Sequence, residues 1–141
     1  MGDTVAILDE GLLFGPPADT DHLLVVVDES GLPAAAGIVA SLDADAVGTV
    51  LIEIPSDEDR QELTAPVGIE IRYVVRADPH DVPGRAVLAQ AQAYEVGGTA
   101  PYVFVAGEQA LATGVRRHFV QAGVPKDRVV FTGYWRVGKS Q

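Results

Sequence analysis

Apolar positions along this chain cluster in short runs rather than spreading evenly. Leu23-Leu24-Val25-Val26-Val27 is continuous, the pattern of a strand buried on both faces. Ser30 and Pro33 behind it signal a helix start, and residues 34–42 are rich in helix formers. Residues 47–54 (VGTVLIEI) read as a second strand, stopped by Pro55 and the acidic run Asp57-Glu58-Asp59. Residues 69–75 (IEIRYVV) read as a third, entered through a turn at Pro66 and Gly68. A polar loop over 77–84 leads to a helix over 85–94, where Val87, Leu88 and Ala91 fall at i, i+1 and i+4. After Gly97-Gly98, residues 101–106 (PYVFVA) predict a fourth strand, and Gly107 begins a turn. Residues 108–121 give the clearest helix, with Leu111, Val115 and Phe119 at i, i+4 and i+8. Gly123 and Pro125 stop it, and residues 128–131 (RVVF) open a fifth strand that runs into Gly133-Tyr134-Trp135-Arg136.

Strands alternating with helices across short connections predict an α/β fold of three layers, a five-stranded parallel sheet with helices on both faces. Right-handed crossovers with one switch in direction give the strand order 3-2-1-4-5. The domain occupies residues 21–141. Residues 1–20, with Gly15-Pro16-Pro17, are expected to be a lead-in segment outside the sheet. A length of 141 residues fits one domain with one core.

Composition narrows the chemistry. The absence of cysteine excludes a disulfide scaffold, a Cys-ligated zinc site, an iron–sulfur cluster and thiol catalysis. No apolar run approaches the ~20 residues of a membrane span, and no basic residue precedes an apolar stretch in the first ten positions. The expectation is a soluble cytoplasmic protein with no membrane insertion. Net charge is −10, unevenly spread: residues 1–59 hold thirteen acids and no base, while residues 60–141 hold seven acids and ten bases. A polyanion partner needs clustered cations, so nucleic-acid binding is not expected. His22, His80 and His118 are scattered without metal-ligand spacing, and no metal site is expected.

In a sheet of this order a ligand sits outside the carboxyl ends of the strands, near the switch between the first and fourth. That places the candidates at residues 28–33, Glu53, Arg76, residues 106–108 and residues 133–136. The first turn, Asp28-Glu29-Ser30-Gly31-Leu32-Pro33, stands in the phosphate-binding position. With one glycine it matches neither G-x-G-x-x-G nor the P-loop. A helix N-terminus there attracts an anion, although two neighbouring carboxylates weaken the pull, and Asp28, Glu29 and Ser30 acting only as helix caps is an equal reading. Arg76 closes the third strand. Its plain alternative is a solvated loop arginine paired with Asp78. Trp135, between Tyr134 and Arg136, belongs in the core or stacks on a cofactor ring.

These residues carry a family resemblance. Asp28-Glu29-Ser30-Gly31-Leu32-Pro33-Ala34 resembles the D-E-T-A-L-P-A stretch of siderophore-interacting proteins, flavin-dependent ferric-siderophore reductases. Gly133-Tyr134-Trp135-Arg136-Val137-Gly138 is similar to that family's G-Y-W-R-x-G. Between them, Ile52-Glu53-Ile54 resembles its V-E-V strand, Asp59-Arg60-Gln61 its D-x-Q, and Val105-Ala106-Gly107-Glu108 its V-A-G-E turn. The motifs run in order from about residue 11 to residue 138. Ser30-Gly31 stands where the family has Thr-Ala.

The resemblance implies the C-terminal nicotinamide-nucleotide-binding domain, related to the NADP domain of ferredoxin–NADP reductases. In the family, an N-terminal β-barrel binds FAD, and electrons pass from NAD(P)H through flavin to ferric siderophore. The flavin-binding R-x-Y-T/S is absent from this sequence, and residues 1–20 are too few to build a barrel. The implied function is therefore a stand-alone NAD(P)H-binding domain working with a flavin-binding barrel on another chain. FAD would be met only through that partner and ferric siderophore only indirectly. The alternative is a non-catalytic binding or dimerisation module that kept the fold and lost redox function. By the same resemblance, the turns at Asp28–Pro33 and at Gly107 and Glu108 flank the pyrophosphate and nicotinamide. Tyr134, Trp135 and Arg136 line the nicotinamide–flavin junction. Arg76 lies beside the adenosine, where related reductases place an arginine for the 2′-phosphate, so NADPH is expected to bind at least as well as NADH.

Overall fold

A computed structural model describes residues 6–7 and 13–135, with side chains for residues 14–131. Two short strands, β1 (Ala6–Ile7) and β2 (Leu13–Phe14), pair antiparallel apart from the main sheet. The main sheet comprises β3 (His22–Val27), β4 (Gly48–Ile54), β5 (Ile69–Val75), β6 (Pro101–Glu108) and β7 (Val129–Trp135). All four pairings are parallel and the order is β5-β4-β3-β6-β7, the 3-2-1-4-5 order expected from the sequence.

Period-2 alternation divides the strands between two cores. Val25, Val27, Val50, Ile52, Ile54, Tyr102 and Phe104 face helix α1 (Leu32–Ser41) and pack on its Ala34, Ala35 and Ile38. Leu24, Val26, Leu51, Val103 and Val105 face α2 (Arg85–Ala93) and α3 (Gln109–Gln121) and pack on Val87, Leu111, Val115 and Phe119. β3, β4 and β6 are buried on both faces, which is why they read as continuous apolar runs.

The connection from β4 to β5 contains no α-helix. It makes a single 3-10 turn at Asp57–Asp59, continues without regular structure to a turn at residues 67–68, and tucks Leu63 and Ala65 against the α1-side core. The three acids of that turn are exposed. The lead-in segment also contributes to the core. Phe14 is buried and meets Tyr102 and Phe104 edge-on, each at 5.6 Å between ring centroids. Arg128 fastens the residues that follow, donating to Asp19 Oδ1 and Thr20 Oγ1 as well as to the Pro101 and Ala100 carbonyls.

At the amino end of the sheet, half-buried His22 meets the Tyr94 hydroxyl at 2.6 Å, and that hydroxyl meets Thr49 Oγ1 at 2.9 Å. Burial lowers the His22 pKa below its ordinary value, with Asp21 opposing. The unfolded chain then takes up the proton more readily, so this contribution is held above about pH 6.5 and lost as pH falls below it. Asp28, whose pKa is raised, has the opposite sign, so the comparison must be made against a variant. Between pH 7 and pH 5 the melting temperature of the wild type is expected to fall more than that of His22→Gln. Equal slopes in thermal melts would refute the assignment.

Candidate functional site

Crossing from β3 to β6 reverses the winding direction, and the turns that leave their carboxyl ends stand side by side at the switch point, where a sheet of this order places its ligands. One carboxylate joins those turns. Asp28, fully buried after β3, accepts from Ser30 N at 2.9 Å and Ser30 Oγ at 2.5 Å through Oδ1, and from Glu108 N at 2.7 Å through Oδ2. Burial pushes its pKa above the usual carboxylate value, and the hydrogen bonds from Ser30 and Glu108 oppose the shift.

Two glycines make the approach possible. A Cβ on Gly107 (φ +147°) would lie 2.6 Å from the Asp28 carboxylate, and one on Gly31 would lie 2.8 Å from the Ala106 carbonyl oxygen and from Val27 Cβ. The family's alanine at the position of Gly31 meets that crowding here.

A second carboxylate organises the β4–β5 side. Glu53 sits in β4 with no exposed surface. It accepts from Gly84 N at 2.8 Å and Val87 N at 2.9 Å, capping α2 from the strand beneath it, and from Arg76 Nε at 2.6 Å. Arg76 donates its remaining edges to the Pro79 carbonyl at 3.2 Å and to Glu29. Its side chain is 3% exposed. Burial works against its charge, and the bonds to Glu53 and Glu29 more than offset that, raising its pKa.

The solvated arginine beside Asp78 is thus corrected. Arg76 is buried because Glu53, opposite Val74 on the neighbouring strand, receives its Nε, while Asp78 accepts from His80 N. Glu53 is the residue that sequence reasoning undervalued. Its signal was a single acid inside an otherwise apolar strand, which demands a buried partner.

The other candidates distribute plainly. Asp28 caps the 3-10 turn Glu29–Gly31 rather than α1, whose N-cap Gly31 makes no side-chain cap bond and whose Pro33 lies in the first turn behind half-buried Leu32. Gly107 and Glu108 belong to the end of β6, and Glu108 caps α3 through Ala110 N and Leu111 N. So α2 and α3 carry carboxylate caps, and α1 does not. The backbone of Tyr134 and Trp135 ends β7. Their side chains, and all of Arg136, lie outside the described residues. Near Glu108 a groove of 820 Å³ opens between α2 and α3, lined among others by Gln92, Gln109, Arg117 and His118. Among the described residues no group of three His, Asp or Glu gathers to hold a metal, and no helix is long and apolar enough to cross a membrane.

The strand order and switch-point crevice define a doubly wound sheet of the type found in ferredoxin reductases. The ferredoxin–NADP+ reductase of Plasmodium falciparum superposes over 86% of this chain and 58% of its own, with a TM-score of 0.58 at 15% identity, a likeness of fold. Within that class, the family model described as "Siderophore-interacting protein" matches residues 20–138, and the chain belongs to that family. A siderophore utilization protein from T. fusca is 32% identical, with a TM-score of 0.79 over 92% of this chain and 49% of that one. An uncharacterized protein of Mycobacterium tuberculosis is 30% identical across 99% of this chain and 53% of its own length. The ferric vibriobactin reductase ViuB of Vibrio cholerae is 25% identical across 86% of this chain and 45% of its own length. The chain thus spans about half the length of the curated relatives it matches.

Proposed function

We propose that this domain binds NAD(P)H at the carboxyl edge of its sheet and presents the nicotinamide to a flavin domain, supplying reducing equivalents for ferric-siderophore reduction. The observation that carries this reading is the switch point between the carboxyl ends of β3 and β6, with the turn into α1 beside it. Membership of the siderophore-interacting family and the printed name of ViuB supply the substrate class.

The residues present fit the cofactor in a defined way. The turn Asp28, Glu29, Ser30, Gly31 leads into Leu32 and Pro33 at the α1 N-terminus, where the macrodipole favours a diphosphate. Gly107 and Glu108 form the facing wall, and Arg76 holds Glu29 and Pro79 in place from beneath. Tyr134, Trp135 and Arg136 are assigned to the flavin side by resemblance. The bound nicotinamide supplies a hydride, and the chain's own contribution is position and electrostatics.

A second reading, a binding or dimerisation module without redox function, is favoured by one observation. The Asp28 carboxylate already takes Ser30 N and Glu108 N, two amide donors a phosphate would use.

Calorimetric titration separates the two readings. The nucleotide-binding domain takes up NADH or NADPH, and the module takes up neither. A second measurement bears on the flavin. The purified chain is expected to be colourless and, with NAD(P)H and added FAD under anaerobic conditions, not to reduce a ferric catecholate. Hydride carries two electrons, and Fe(III) takes one. Turnover restored by a separately produced flavin domain supports supply in trans. A yellow preparation that turns over by itself would overturn it.

A further inference from the structure

We propose that Glu29 sets the coenzyme preference of this domain toward NADH and against NADPH, an assignment that rests on the nucleotide-binding reading above. Arg76 is the cation at the end of β5, where a 2′-phosphate would seek a partner. Each of its three nitrogens already has a partner: Nε has Glu53, Nη1 the Pro79 carbonyl and Nη2 Glu29. With its side chain 3% exposed, the guanidinium turns no free edge outward.

Glu29 does face outward. Its side chain is 45% exposed, so the group this cluster offers to a ligand is a carboxylate acceptor. Ribose hydroxyls can donate to such a group. A 2′-phosphate, carrying ≈ −1.5 to −2 charges at neutral pH, is repelled by it and finds the guanidinium behind it already neutralised.

The surrounding turns reinforce the sign. Asp57, Glu58 and Asp59 after β4, and Asp78 and Asp81 after β5, are all exposed. Against them stand Arg60, paired with Asp57 at 2.5 Å, and Arg85, exposed at the first residue of α2. The field on this side of the crevice is therefore negative, and two independent features, the sequestered guanidinium and the acidic turns, disfavour the extra phosphate.

The decisive experiment measures dissociation constants for NADH and NADPH by calorimetry on wild type, Glu29→Gln, Glu29→Ser and Arg85→Ala. Glutamine keeps an acceptor for Arg76 Nη2, and the Glu53–Arg76 pair stays intact. Thermal melting confirms folding, and the serine variant guards against an amide-specific artefact.

Wild type is expected to bind NADH about tenfold or more tightly than NADPH, and Glu29→Gln to tighten NADPH about tenfold while weakening NADH about two- to threefold, since tenfold corresponds to about 1.4 kcal/mol. Arg85→Ala should leave the ratio near the wild-type value. NADH binding with a ratio that does not move in either Glu29 variant would overturn the assignment alone. So would a wild-type preference for NADPH that vanishes in Arg85→Ala. Absence of binding by either nucleotide to any folded variant would overturn the nucleotide reading together with it.

Discussion

Glu53→Ala is expected to destabilise the domain by about 3–5 kcal/mol, the usual cost of removing one partner from a buried ion pair. For a chain of this size that corresponds to a fall in melting temperature of about 10–20 °C. The variant deletes three hydrogen bonds at once. Gly84 N and Val87 N lose their acceptor at the start of α2, and Arg76 is left buried with Glu29, a half-exposed partner, as its remaining carboxylate. The double variant Glu53→Leu/Arg76→Leu should recover part of the loss, because replacing both charges by apolar groups removes the uncompensated guanidinium. Chemical denaturation of the single and double variants measures the coupling directly. Additive losses would mean that the pair does not act as a unit.

The second large effect is expected at Gly107→Ala. The added methyl would lie 2.6 Å from the Asp28 carboxylate, on a backbone at φ +147° that L side chains rarely adopt. Strain of that kind costs about 1–3 kcal/mol. Displacing Asp28 leaves the buried Glu108 amide without this acceptor, at about 1–3 kcal/mol for a buried donor left unsatisfied. The loss should therefore exceed what the strain alone would cause. Asp28→Ala removes the same strut from the other side, so the double variant should lose much less than the sum of the two single losses. Urea unfolding reports the stability, and NADH titration reports whether the crevice walls have separated. Full stability and unchanged affinity in Gly107→Ala would show that neither the glycine nor the strut is needed.

Much of this was visible in the chain before folding. The run 23–27 read as a strand buried on both faces, 47–54 and 101–106 read as strands, and the spacing of Leu111, Val115 and Phe119 as the apolar face of a helix. The Asp28–Ala34 and Val105–Glu108 motifs marked both walls of the crevice. Less visible was how polar groups inside those segments were matched. Arg76 ends an exposed-looking edge strand with Asp78 two residues away, so local reasoning paired them. The partner is instead Glu53, 23 positions distant in sequence and one strand away in space. The 55–68 connection carries no α-helix, because its acids and prolines offer no apolar stripe to pack.

The sequence by itself determined the strand order, the two-sided core and the edge at which a nucleotide is proposed to bind. Those follow from hydrophobic period, turn residues and handedness, which act over neighbouring positions or apply to every chain of this pattern. Only the tertiary structure decided which donors at that edge are still available. Asp28, Glu53 and Glu108 satisfy amides of the turn after β3, of α2 and of α3, and Glu29 closes over Arg76. Those pairings join residues up to 80 positions apart. A hydrogen bond depends on a distance and an angle that exist only once the sheet has brought its strand ends together.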